Sequence, residues 1–359
     1  MIKSHIEPWM AENHIPGVAV GIYHHGKPAI YYFGVENINT KQPVNQDTIF
    51  AVASWTKILT CLLAAETVET GKWSLDDPVV RYLPLLKKNP AFRNITIQEL
   101  GTYTAGFPAN LPETIKTPGE LSNFYLHWKP EQPDTRTYSN VSIALLGDAL
   151  KAQYSQDINT LYIQKILTPL GMQTMGLFIP DNLSTHFAQG YTEDGEPAPL
   201  PTFPFVESAA GVKMSASDAL KFLHGAINAS DVVPILTKAM KITQTPYVQV
   251  GDHQQGLALE IYPLHYPLNQ STKQWLLNPP EEPIKGPIPS KAIPKAQQVF
   301  HGSYLMDKTG ATYGFRSYIV VIPNLKSGVV ILTNRYISNG ELIRMGRTLL
   351  LNFLDDGVY

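Results

Sequence analysis

Two apolar hairpins stand at opposite ends of this chain, and that placement constrains its fold more than anything lying between them. Residues 17–23 and 28–33 are rich in β-branched and aromatic side chains and are separated by His24, His25, Gly26 and Lys27. Such a pattern predicts two antiparallel strands and a tight turn. Residues 317–322 and 328–332 flank a second turn-like stretch, Pro323 to Ser327, and predict another hairpin. Runs 1–14 and 339–354 have helical spacing. Strands from both termini must then share one antiparallel sheet with helices packed on it, an α/β (α+β) arrangement.

Mostly helical sequence lies between these ends. In residues 54–70, Ile58, Leu59, Leu62, Leu63 and Val68 follow a helical stripe, and Gly71 is suited to stop the helix. Residues 278–294 hold Pro279, Pro280, Pro283, Pro287, Pro289 and Pro294, so neither helix nor central strand is expected there, only a surface loop. The expected organisation is one catalytic unit over residues 1–359. Its α/β subdomain spans about 1–56 and 295–359, and a mostly helical subdomain with loops spans about 57–294.

Composition narrows the function classes. Hydrophobic residues make up 44% of 359, enough for a sizeable core. Against 30 acidic residues stand 28 basic ones, with no block of like charge to attract nucleic acid or anionic lipid, so a small substrate is expected. No run is long and apolar enough to span a membrane, and the first residues lack an apolar signal region, as in a cytoplasmic protein or one whose signal has been removed. Cys61 is the one cysteine and sits in an apolar run, which excludes an internal disulfide and suits packing. The histidines form no metal-ligand pattern and no phosphate-binding glycine motif is present, so neither metal nor cofactor is expected. A monomer is the expected state.

Three short motifs carry the chemistry. Ser54 and Lys57 stand three residues apart at a helix start, a hydroxyl and an amine on one face, suited to a nucleophile and its base. The apolar helix behind them would desolvate Lys57 and favour a neutral amine. Tyr138 and Asn140 offer a phenol and a carboxamide just before a helical run, where Ser139 or Asn140 could equally serve as its cap. Lys308, Thr309 and Gly310 follow a strand-like run and can present a cation and a hydroxyl to a carboxylate. A second match, Lys326, Ser327 and Gly328, belongs to the hairpin turn.

With these motifs in this order, the chain resembles the class C serine β-lactamases of the penicillin-recognising serine hydrolase family. Ile15 to Val20, Thr102 to Gly106, Gln189 to Gly195, Gly211 to Lys213, Gln255 to Leu257 and Lys308 to Thr312 carry the likeness along nearly the whole length. The resemblance implies a β-lactamase/transpeptidase-like fold and an acyl-enzyme formed on Ser54, with Lys57 and Tyr138 sharing proton transfer. It implies an oxyanion hole from the N–H groups of Ser54 and Ala311. Asn140 would orient Lys57 and, with Asn110, meet the acyl side chain, while Lys308, Thr309, Gly310, Ala311 and Asn339 would bind the remainder of a β-lactam or acyl-D-Ala-type substrate. It also implies a periplasmic setting.

Several positions depart from the usual pattern. Asn110 replaces a longer Gln, Ala210 a Tyr, Tyr313 and Arg316 two glycines, and Leu342 an Arg. Substrate preference is what these changes put in question. A D-alanyl-D-alanine peptidase or small-ester hydrolase would use the same nucleophile, whereas a non-catalytic binding protein would not need the intact Ser54, Lys57, Tyr138 and Lys308. The Gln-Gly-Tyr and Gln-Gly-Leu neighbourhoods lean towards β-lactamase.

Overall fold

β-Branched strands from the two ends of the chain do meet in one sheet. The computed structural model describes residues 2–355 apart from 131, 133, 180, 229–230, 265–266, 279–285 and 299–301. The first hairpin is β1 (Gly17–His24) and β2 (Lys27–Gly34). In the middle of the chain lie β3 (Ile49–Ala51), β4 (Thr135–Arg136), β5 (Lys213–Ser215), β6 (Val248–Val250), β7 (His253–Gln255), β8 (Glu260–Leu264) and β9 (Ile288–Ala292). The last three are β10 (Ser303–Ala311), β11 (Arg316–Ile322) and β12 (Ser327–Thr333). Among the described residues the large sheet runs β2-β1-β12-β11-β10-β8-β7-β6-β9-β4, so strands from both termini form half of it and the middle segment supplies the rest.

Residues 288–292, read as loop because of their prolines, form β9, which bonds β6 through Ser290, Lys291 and Ala292 and β4 through Ile288 and Pro289. The two partners use different parts of the strand, so Pro289 lies outside the stretch that pairs with β6. The prolines at 279, 280 and 283 lie outside the described residues.

Both faces of the sheet are covered, which is why its central strands read as nearly continuous apolar runs. Tyr318, Val320 and Ile322 of β11 point to one side with Val329 and Ile331 of β12, under the two terminal helices Ile2–Glu12 and Asn339–Asp355. Ile319, Val321, Val330 and Leu332 alternate to the other side and join the larger core. Arg347 ties the last helix to β10, its guanidinium 2.7 Å from the Asp307 carboxylate. No helix among the described residues is long and apolar enough to cross a membrane.

The larger core is organised around the helix Thr56–Glu69, whose residues from Thr56 to Thr67 are all buried. A helix apolar on every side belongs in the centre of a protein, and its polar residues must then find partners. Its position decides where Ser54, just before it, can point.

Candidate active site

Ser54 lies in the 3-10 turn Ala53–Trp55 that leads into the central helix. The turn is held from several sides: Val52 N–H donates to Val212 O at 3.1 Å, and the Ser317 hydroxyl donates to Val52 O at 2.7 Å. β3 before it pairs antiparallel with β5. Trp55 behind it is buried edge-on against Phe222. Ala53 takes a left-handed φ of 49°, a conformation an L-residue holds only when its surroundings enforce it. No sequence signal marks that strain.

One helical turn on, Lys57 is fully buried. Its Nζ donates to Ser54 Oγ at 3.1 Å and to Ala209 O at 2.8 Å. Burial holds the amine below the usual lysine range, against an opposing pull from Tyr138. Tyr138 approaches from the other side and donates from Oη to Ser54 Oγ at 2.7 Å. It precedes Ser139, which caps the helix Asn140–Tyr154 by accepting from Ser142 N–H. Its ring leans on Tyr103, with centroids 5.1 Å apart, and Thr137 N–H donates to Tyr103 O.

Two ammonium groups face the Tyr138 ring, Lys57 at 4.9 Å and Lys308 at 5.1 Å from its centroid. Burial pushes the phenol up, but Lys57 first and Lys308 second outweigh it and bring it below the usual tyrosine value.

Lys308 sits on β10, and its Nζ lies 3.7 Å from Glu260 Oε2. Glu260 Oε1 accepts from Arg136 Nη2 at 3.1 Å, and Arg136 Nε donates to Gln255 Oε1 at 3.0 Å. Gln255 in turn donates to Gly256 O and Leu259 O. This fully buried chain of charges and amides lies behind the site; Arg136 and Glu260 escaped the sequence reading because partners over a hundred positions apart leave no local pattern. Gln255 had a signal, the Gln-Gly-Leu match. Burial raises the Glu260 carboxyl despite the two cations beside it.

Gly310 brings β10 against the nucleophile's turn: a Cβ there would meet Val52 O at 2.1 Å and Ser54 N at 3.2 Å. No larger residue fits, which gives the glycine of that motif its reason. β8 pairs with β10 only from Ser303 to Asp307, so among the described strands the stretch from Lys308 through Thr309 to Ala311 has a free edge on that side. An extended ligand can bond there as an added strand.

The remaining candidates divide. Asn140 Nδ2 donates to Asn110 Oδ1 at 2.6 Å, which brings these two together, but the acceptor that orients Lys57 is Ala209 O rather than Asn140. Among the described residues the buried Asn140 Oδ1 has no hydrogen-bond partner. Asn339 opens the last helix, and among the described residues its buried Oδ1 likewise has no hydrogen-bond partner. Of the departures from pattern, Ala210 and Leu342 are buried, Arg316 is buried and bonded to backbone carbonyls, and Tyr313 stands in solvent. Cys61 is buried in the core beside Lys57, and burial raises its thiol.

This arrangement can activate a hydroxyl for attack on a carbonyl, with a phenol and an amine to carry the proton. The chain is similar to known proteins along its length. The family described as Beta-lactamase matches residues 2–351. A β-lactamase of Pseudomonas fluorescens is 32% identical over 98% of this chain and 97% of its own. The crystal structure of a class C β-lactamase from Rhodobacter sphaeroides superposes with a TM-score of 0.90 at 29% identity, covering 98% of this chain and 99% of that one. A D-alanine carboxypeptidase from Burkholderia cenocepacia does so with a TM-score of 0.85 at 32% identity, over 97% of each. Likeness of sequence along the whole length, and of structure at this level, places the chain in the β-lactamase family, among the class C enzymes.

Proposed function

We propose that this enzyme hydrolyses the amide bond of β-lactams through an acyl-enzyme on Ser54. One observation carries the reading: Ser54 Oγ is hydrogen-bonded at once to a buried lysine and to a tyrosine flanked by two ammonium groups. Tyr138 reacts as the phenolate, its own proton held by the Lys57 amine; in acylation Oγ bonds to the lactam carbonyl carbon while the Oγ proton passes to the Tyr138 oxygen. The N–H groups of Ser54 and Ala311 receive the developing oxyanion, and such donors are commonly worth about 10²- to 10³-fold each. When the ring C–N bond breaks, the proton goes on to the leaving nitrogen. A water molecule then attacks the ester, again giving its proton to Tyr138, and the acid leaves with the Ser54 hydroxyl restored.

Lys308 and Thr309, with Asn339, take the substrate carboxylate, and Asn110 and Asn140 take the amide of the acyl side chain. The free polar edge of β10 and the unpartnered Oδ1 atoms of Asn140 and Asn339 support those roles. The setting we propose is the periplasm, with the enzyme acting as a monomer against β-lactam antibiotics. The test is turnover of a chromogenic cephalosporin compared with release of D-alanine from an acyl-D-Ala-D-Ala peptide. Ring opening that exceeds peptide cleavage is expected. The peptidase reading, which the structural likeness to a D-alanine carboxypeptidase favours, requires the reverse.

A further inference from the structure

Past the nucleophile, β10 ends at Ala311 and the chain turns into β11 through a segment that is almost wholly tied down. Thr312 N–H donates to Phe315 O at 3.0 Å, and Thr312 Oγ1 accepts from the N–H groups of Gly314 and Phe315. The buried guanidinium of Arg316 donates to Thr312 O at 2.6 Å and Phe315 O at 3.0 Å. That side chain also donates to Ile337 O at 2.7 Å and lies 3.8 Å from the Tyr336 ring centroid. Phe315 packs on Phe187. Gly314 lies so close to the neighbouring loop that a Cβ would come within 2.5 Å of Ala198 Cβ. Tyr313 alone is left out, with 78% of its surface exposed.

We propose that Tyr313 determines side-chain specificity, its ring packing against the acyl side chain of the bound β-lactam and favouring flat aromatic groups over small aliphatic ones. The inference rests on the hydrolase reading above. Tyr313 is three residues beyond Gly310, which abuts Ser54, in the turn that follows Ala311; three residues of chain span at most about 10 Å, so Tyr313 stands within the reach of an acyl side chain extending from the scissile amide past the free edge. A ring carried on an ordered turn gives up little freedom on contact, so more of its contact energy appears as affinity. Arg316 acts as the positioning residue, holding the turn from inside.

The experiment uses two cephalosporins with one nucleus and leaving group, bearing a phenylacetyl or an acetyl side chain. Acylation of Ser54 is followed by intact mass and turnover by absorbance. Tyr313→Ala should lower the ratio of phenylacetyl to acetyl acylation rates by roughly two- to tenfold, the range of a single aromatic contact, and Tyr313→Phe should restore it. Arg316→Met should lower the same ratio, which partial unfolding would leave alone because it reduces both rates together. An unchanged ratio in Tyr313→Ala overturns the proposal while the hydrolase reading stands. Acylation without turnover removes the hydrolase reading yet still decides Tyr313, and absence of acylation by either compound overturns both.

Discussion

Replacing Lys308 by Met should displace the acid limb of the pH profile rather than only lower the rate. In the native site the Lys308 ammonium is 5.1 Å from the centre of the Tyr138 ring. At an effective dielectric constant of about 20, unit charges at that separation interact by about 3 kcal/mol. Removing the cation withdraws that support from the phenolate, and it leaves Glu260 with Arg136 as its partner. Tyr138 therefore rises towards the ordinary phenol value, its basic form develops only at higher pH, and the acid limb of kcat/KM moves to higher pH. At neutral pH the rate should fall on the order of 10²-fold, part of which returns on titrating upward. The assay is hydrolysis of a chromogenic cephalosporin between pH 5 and pH 10 by wild type and variant, with circular dichroism to confirm the fold. A uniform vertical loss with the limb in its original place would refute the reasoning and leave Lys308 only as a carboxylate anchor.

Two further substitutions probe the nucleophile's setting. Tyr138→Phe removes the 2.7 Å bond to Ser54 Oγ and should lower kcat by about 10²- to 10⁴-fold; turnover within a few-fold of wild type would place the base elsewhere. Gly310→Ala puts a methyl 2.1 Å from Val52 O, so the turn carrying Ser54 must shift. We expect more than tenfold loss of kcat/KM together with about 1–3 kcal/mol of stability by urea denaturation, whereas wild-type values for both would contradict the close packing of β10 on that turn.

What could be read from the sequence follows from how local each feature is. The hairpins of β1 with β2 and β11 with β12 were legible because strand and turn signals lie within a few residues of each other. β6 and β7, three residues each, carry too short a pattern, and β9 was hidden by Pro289, whose missing donor costs nothing where it does not face β6. The triad of motifs was legible as residue types, and the structure adds that Lys57 and Tyr138 meet on the Ser54 hydroxyl with Lys308 beside the Tyr138 ring. Arg136 and Glu260 were not legible, since a charged residue on a sequence row looks the same whether it is solvated or sealed behind Lys308. The same holds for Ala53, whose left-handed φ is imposed by β3, β5 and Trp55 rather than by its own side chain.

The claim that Ser54 is acylated and then released is tested most directly by rapid-quench intact-mass analysis with a cephalosporin. An adduct of the mass of the opened substrate, less any leaving group, should form on wild type, decay as product appears, and be absent from Ser54→Ala. Turnover that persists in Ser54→Ala, or an adduct mapped to another residue, would contradict it.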